Sequence, residues 1–255
     1  MELIDTHCHL YLKEFQEDRT DIIQRAVSEG VKKFYLPSID SSYFQDLLKM
    51  EMEFPGQCLA MAGLHPCSVK NNYRWELTFF EAYLSQRKFA AVGEIGLDFY
   101  WDRSFESEQY EAFRIQIDYA LQHDLPIVIH SRDSMEETIR VVQEKQKGNL
   151  RGIFHFFNDG PDAAKKIIDL GFFLGIGGVI TYKNSKLPET LRSVGTEWLV
   201  LETDAPYLPP SPYRGKRNES SYLPFILARL AEVKEKTTEE MAEITTSNAI
   251  KIFGN

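Results

Sequence analysis

Short runs rich in Ile, Val, Leu and Phe alternate along this chain with longer segments in which apolar residues recur every three or four positions. Eight runs stand out, at residues 3–6, 33–37, 59–64, 90–95, 126–130, 152–156, 172–176 and 198–202. Their near-continuous hydrophobicity predicts strands covered on both faces, because a half-exposed strand would alternate apolar and polar side chains. Ile22, Ile23, Ala26 and Val27 form a helical stripe that ends at Gly30, a residue suited to a helix C-terminus. Within 104–123, Tyr110, Phe113, Ile117, Ala120 and Leu121 recur at helical steps. Further helices are predicted at 43–53, 76–86, 135–146, 162–170, 223–234 and 238–253. Strand and helix thus alternate throughout, which predicts an α/β fold closed into a (β/α)8 TIM-type barrel, since closure leaves no unpaired sheet edge. An open doubly wound sheet is the alternative.

A chain of 255 residues suits a single domain of this kind over 1–255, and no composition shift or internal repeat divides it. No stretch is long and apolar enough for a membrane span, and "MELIDTHCHLYLKEF" has no export-signal pattern, so a cytoplasmic protein is expected. Three cysteines without a close pair argue against a disulfide framework or a zinc knuckle. The net charge of −9 argues against a broad basic surface gripping duplex nucleic acid. Any positive charge that meets a polyanion must therefore be local. One long polar connection, "PYLPPSPYRGKRNESSY" at 206–222, follows the eighth run and reads as a functional loop.

Candidate chemistry gathers at the ends of the predicted strands. Side chains alternate along a strand, so His7 and His9 of "THCH" point one way and Cys8 the other. Two imidazoles so placed can hold a divalent ion or flank a pair, although an HxH by itself is weak support. His65 follows "MAGL", Glu94 lies in "AVGEIGLD", His130 ends "PIVIH", His155 lies in "GIFHFF" and Asp204 ends "VLETD". In a barrel these positions converge on the C-terminal rim, where catalytic groups collect. Shared metal coordination is a common way to offset the desolvation of so many ionisable groups. His123 is expected at a helix C-terminus with no role, and Cys67 as a packed thiol. Asp98 is expected either to support the ligands from behind or to cap the next turn.

At these residues the sequence resembles the TatD family of metal-dependent deoxyribonucleases, within the wider amidohydrolase-like barrels. The likeness covers almost the whole chain and rests on "IDTHCHL", "GLHP", "AVGEIGLDFYWD", "LPIVIHSRD", "GIFHFF", "LETDAPYLPP", "PYRGKRNE" and "SNAIKIFG". It implies a centre of two divalent ions (Mg, Mn or Zn) and hydrolysis of DNA phosphodiesters, with 3′–5′ exonuclease action on single strands and a place in DNA repair. By motif, His7 and His9 would hold one ion, Glu94 would bridge, His130 and His155 would hold the second, and Asp204 would complete the cluster beside the attacking water. His65 would touch substrate or stand behind the ligands. The chain departs from the family at Phe156, where Cys is usual, and at the following Phe157, Asn158 and Asp159, which bears on loop shape and substrate fit.

Asp204 is the expected proton acceptor, with Glu94 bridging and Glu202 orienting ligands or water. Arg132, Arg214, Lys216 and Arg217 are expected to meet phosphate, whose oxygens match a guanidinium fork. Trp101 and Tyr213, with Phe99 and Tyr100, could stack unpaired bases. The expected partner is the end of a DNA single strand, with no obligate protein partner. Rival readings are a small-molecule amidohydrolase or esterase, a D-aminoacyl-tRNA deacylase, and a non-enzymatic metal-binding or quality-control protein.

Overall fold

A computed structural model describes residues 1–254. The eight predicted strands are present as β1 (Leu3–Asp5), β2 (Val31–Leu36), β3 (Cys58–Ala60), β4 (Val92–Asp98), β5 (Ile127–Arg132), β6 (Gly152–Phe154), β7 (Phe173–Ile176) and β8 (Leu199–Leu201). Between and after them run α1 (Arg19–Ser28), α2 (Ser41–Glu53), α3 (Tyr73–Gln86), α4 (Glu106–Gln122), α5 (Met135–Lys145), α6 (Pro161–Asp169), α7 (Leu187–Arg192), α8 (Leu223–Val233) and α9 (Thr238–Phe253). Helix α7 was not expected. Its six residues are too few to display a helical period.

All ladders are parallel, in the order β1-β2-β3 and β4-β5-β6-β7-β8. Backbone hydrogen bonds join the two sets at both seams. Ala90 N donates to Ala60 O at 2.9 Å and Gly93 N to Ala62 O at 3.0 Å, while Thr6 N donates to Leu201 O at 3.0 Å. The sheet therefore closes into the expected (β/α)8 barrel.

Two bodies of apolar side chains hold it. The larger packs the helices against the outside of the strands. The smaller takes Ile4, Tyr35, Val128, Ile153 and Val200 from five strands, with Met61 from just past β3, and packs them with Ala249 and Ile252 of α9. It is the barrel interior, plugged from the N-terminal end by α9, whose Phe253 stacks on Tyr35 at 3.9 Å. The start of α9 is fixed by a capping box between Thr237 and Glu240. Two residues beyond this layer, alternation turns Thr6, Gly93, His130, His155, Gly175 and Glu202 inward. The apolar interior thus gives way to chemistry one layer up.

Candidate metal centre

Several site residues stand just past the last paired residue of their strands: β1 ends before His7, β6 before His155, and β8 before Glu202. Freed from the ladder, these segments bend across the mouth. Asp204 N donates to His7 O at 2.9 Å and His9 N to Ala205 O at 2.7 Å, tying the ends of β1 and β8 together. Asp204 and Phe156 adopt φ of 58° and 49°, a left-handed backbone that is uncommon for such residues and often found where function constrains the chain. Glu94 is the extra residue at a register shift in β4, between Gly93 and Ile95. Such a bulge re-aims a side chain.

The side chains converge as the sequence predicts. Glu94, 2% exposed, divides its carboxylate. Its Oε2 lies 3.1 Å from His7 Nε2 and 3.6 Å from His9 Nε2, whereas Oε1 lies 2.7 Å from His130 Nδ1 and 3.3 Å from both His155 Nε2 and His65 Nε2. Asp204 Oδ1 stands 3.7 Å from His7 Nε2 and 3.6 Å from His9 Nε2. Three triads bring their donor atoms within 4.8 Å of one another: His7, His9 and Glu94; His65, Glu94 and His130; His7, His155 and Asp204. His155 stacks on His7 at 3.7 Å and lies 6.0 Å from His130, so it sits between the two halves rather than beside His130 alone.

Hydrogen bonds behind the rings fix which nitrogen faces the centre. Tyr11 donates its hydroxyl to Pro37 O at 2.7 Å and accepts from His9 Nδ1 at 3.0 Å, which leaves the His9 Nε2 lone pair pointing inward. Glu202 accepts from His155 Nδ1 at 3.1 Å and from Phe156 N at 2.5 Å, freeing His155 Nε2. Asp98 accepts from His130 Nε2 at 2.9 Å, directing Nδ1 toward Glu94. His65 is the reverse case. Its Nδ1 accepts from Cys67 N at 3.0 Å, so the proton of the neutral ring sits on Nε2 and points at Glu94. Distance alone would let His65 ligate; the tautomer makes it a donor to Glu94 or substrate.

Electrostatics agree with this arrangement. Burial alone would raise the Glu94 pKa, but His65, His155 and His7 outweigh it and hold the carboxyl well below the usual range. Among the described residues no Lys or Arg pairs with Glu94, Asp98, Glu202 or Asp204; their charged partners are imidazoles. His7 Nε2 and His9 Nε2 face each other at 3.2 Å, and the buried His7 Nδ1 has no hydrogen-bond partner. Buried carboxylates among inward-facing imidazoles, with no Lys or Arg paired to them among the described residues, form a donor set suited to divalent cations. His7, His9, Glu94, His130, His155 and Asp204 can hold them.

Around the mouth, Arg132 lies 3.9 Å from the Tyr100 ring and 5.3 Å from that of Trp101, which is 68% exposed. Arg214 lies over Tyr182 at 4.3 Å, and Lys216 lies 5.7 Å from Tyr213, which is itself stacked on Tyr222 at 3.9 Å. The surroundings of Arg217 correct the expectation that it meets phosphate. Its guanidinium donates to Glu14 O at 2.6 Å and to both carboxylate oxygens of Asp18 at 2.9 and 2.6 Å. It anchors the loop. Phe156 packs against Gly177, where a side chain would strike the ring, and the contact from residue 156 to Glu202 is made by the backbone. The departure from Cys therefore leaves the His155 support intact. His123 caps α4, and burial pushes the Cys67 thiol up to about 12, as suits a packed thiol.

Four supporting residues escaped the sequence reading. Tyr11 shares the parity of His7 and His9, a signal that was available. Asp5 is fully buried and accepts from Thr203 N at 2.9 Å, Thr203 Oγ1 at 2.6 Å and Ser220 Oγ at 2.6 Å, joining β1 to the loop after β8. Gln109 exchanges hydrogen bonds with the Asp98 backbone at 2.9 and 3.1 Å. Gly175 leaves the space that the Glu202 carboxylate fills.

Comparison with known proteins places this geometry in context. The family model described as TatD related DNase matches residues 4–254. The uncharacterised metal-dependent hydrolase YabD of Bacillus subtilis is 36% identical over 252 residues, covering 98% of each chain. The 3′–5′ ssDNA/RNA exonuclease TatD of Salmonella typhimurium is 32% identical over 261 residues, again covering 98% of each. The crystal structure of YjjV, a TatD homologue from Escherichia coli, superposes with a TM-score of 0.93 at 29% identity, covering 99% of this chain and 98% of that one.

Proposed function

The chain belongs to the TatD-related DNase family and is a metal-dependent hydrolase, and from that premise we propose that it hydrolyses DNA phosphodiester bonds at the 3′ ends of single or frayed strands through a centre of two divalent ions. The observation that carries the two-ion reading is Glu94, whose two oxygens address two different groups of imidazoles. His7 and His9 would hold one ion, His130 and His155 the other, with Asp204 completing the set. Two such ions, when bound, neutralise phosphate charge and lower the pKa of coordinated water.

The remaining work falls to side chains of this chain. Asp204 Oδ1 stands beside the inward His7 and His9 nitrogens and would accept the proton given up by the attacking water. Glu94 shares its charge between the two halves, and Glu202 keeps the proton of His155 on Nδ1. His65 would donate from Nε2 to a phosphate oxygen. Arg132, Arg214 and Lys216 form no salt bridge among the described residues, which leaves their charge free for phosphate on a protein of net charge −9. Trp101 and Tyr213 would face bases. A few local cations suit a strand end better than a long duplex. The similarity to an exonuclease on single strands supports the same substrate.

The test is a purified protein loaded in turn with Mg, Mn and Zn and given a 5′-labelled single-stranded oligodeoxynucleotide. A ladder shortening from the 3′ end is expected. DNA left intact with all three metals refutes the proposal, and turnover of a neutral ester or lactone in the same preparation would assign the centre to small-molecule hydrolysis.

A further inference from the structure

Asp98 is nearly fully buried (1% exposed), and its two oxygens serve different parts of the mouth. Oδ2 accepts from His130 Nε2 at 2.9 Å. Oδ1 accepts from Tyr100 N at 3.0 Å and Trp101 N at 3.1 Å. The backbone of Asp98 is locked in turn by Gln109, whose Oε1 accepts from Asp98 N and whose Nε2 donates to Asp98 O. The turn held by Oδ1 presents the exposed rings of Tyr100 and Trp101, and both lie against Arg132, two residues beyond His130 on β5. The chain thus returns to its starting point. One carboxylate joins a candidate metal ligand to an aromatic and cationic lip, and the lip leans back on the strand that bears the ligand.

We infer that Asp98 is a positioning residue that sets the tautomer of His130 with one oxygen and the Tyr100–Trp101–Arg132 lip with the other, so that metal site and nucleotide-binding lip are held in one register. The role of the lip rests on the DNA reading proposed above; the clamp itself does not. With Oδ2 accepting the ring proton at Nε2, Nδ1 is the atom turned to the centre, 2.7 Å from Glu94 Oε1. The two functions are chemically separable. In Asp98→Asn the amide oxygen can still accept from the two backbone N–H groups, whereas the amide NH2 must donate to His130 Nε2. That reverses the ring and turns an N–H toward Glu94. Asp98→Ala removes both supports.

Three readouts on the full chain test this: Mn2+ affinity by competition with a chromophoric chelator, iodide quenching of Trp101 isolated by subtracting the Trp101→Phe spectrum, and binding of a short oligothymidylate to metal-free protein. The expected result is that Asp98→Asn weakens one Mn2+ site by roughly 10–100-fold while Trp101 quenching and oligothymidylate binding stay at parental values. Asp98→Ala should lose metal to the same degree, expose Trp101 to iodide and weaken oligothymidylate to the level of Trp101→Ala. An Asp98→Asn protein that holds Mn2+ as tightly as the parent overturns the inference, as does Trp101 no more quenchable in Asp98→Ala than in Asp98→Asn. The metal and quenching pattern in a protein whose parent binds oligothymidylate neither metal-free nor loaded with Mn2+ supports the clamp and refutes the DNA reading.

Discussion

Gly175→Ala is the most direct test of how the barrel interior builds the site. Gly175 lies on β7 with a backbone conformation open to any residue, so the substitution acts through contact alone. A methyl group there would sit 2.6 Å from the Glu202 carboxyl carbon and 2.8 Å from Oε1. Ordinary separations are about 3.5–4.0 Å, so the carboxylate must move by about 1 Å. Glu202 has no exposed surface, and the movement would break its hydrogen bonds from His155 Nδ1 and Phe156 N. Overpacking and the loss of partners for a buried charge together should cost about 2–5 kcal/mol. The same movement releases the His155 ring. Urea titration of the parent, Gly175→Ala, Glu202→Ala and the double variant measures the coupling. In the Glu202→Ala background the methyl has room, so its cost should fall below about 1 kcal/mol and the cycle should show non-additivity of about 2 kcal/mol or more. Additive effects, or a Gly175→Ala loss below about 0.5 kcal/mol, would refute the claim that Gly175 exists to seat Glu202.

Two further predictions follow from the site and its loop. Adding Mn2+ or Zn2+ at about 100 times Kd to chelator-treated protein should stabilise it by about 2.7 kcal/mol per site, read as an upward shift in Tm; an unchanged melting curve would count against metal binding by the native centre. Arg217→Ala should leave oligonucleotide KM unchanged but lower stability, whereas Arg214→Ala should raise KM and leave Tm unchanged. The Asp18 carboxyl is held below its usual value chiefly by the hydrogen bond from Arg217, so its contribution to stability is complete above the unfolded pKa of about 3.9 and disappears as pH falls through the lower folded value. Arg217→Ala should therefore flatten the acid limb of the stability profile. An acid limb identical to the parent's would refute that assignment.

The sequence shows the barrel and the membership of its rim because both depend on local pattern. Eight buried runs separated by helical stripes leave few topologies, and a His or acid at a strand end is visible wherever the run stops. What the sequence does not show is pairing across elements. Arg217 reads as a phosphate contact because it lies in a basic run; only the fold brings it to Asp18, 199 residues away. The division of Glu94 between two groups of rings depends on a bulge at Gly93 and Ile95, and nothing in "VGEIG" announces it. Gly175 is one glycine among many until Glu202 is seen to occupy the space beside it. The tautomers of His9, His130 and His155 are set by Tyr11, Asp98 and Glu202, and two of these three partners lie more than thirty positions away in the chain. Asp98, which could be either a cap or a support for a ligand, is both.

The loop after β8 reconciles two demands that oppose each other. Asp204 must be held accurately against His7 and His9, which asks for rigidity, while on the DNA reading proposed above a strand end must enter and leave, which asks for accessible charge. The base of the loop meets the first demand. Asn218 donates to Thr203 O at 2.8 Å and Tyr207 O at 2.7 Å, Ser220 donates to the buried Asp5, and Arg217 forks onto Asp18. The two bonds from Asn218 bracket the left-handed turn at Asp204 and help offset its backbone cost. The tip meets the second, because Arg214 and Lys216 rest on aromatic faces and pair with no carboxylate among the described residues. A cation on an aromatic face keeps its charge available, whereas one forked to a carboxylate is spent on structure. Within four residues of one basic run the fold therefore commits Arg217 to Asp18 at the base of the loop and leaves Arg214 and Lys216 without a carboxylate partner among the described residues, a division that charge counting along the sequence could not make.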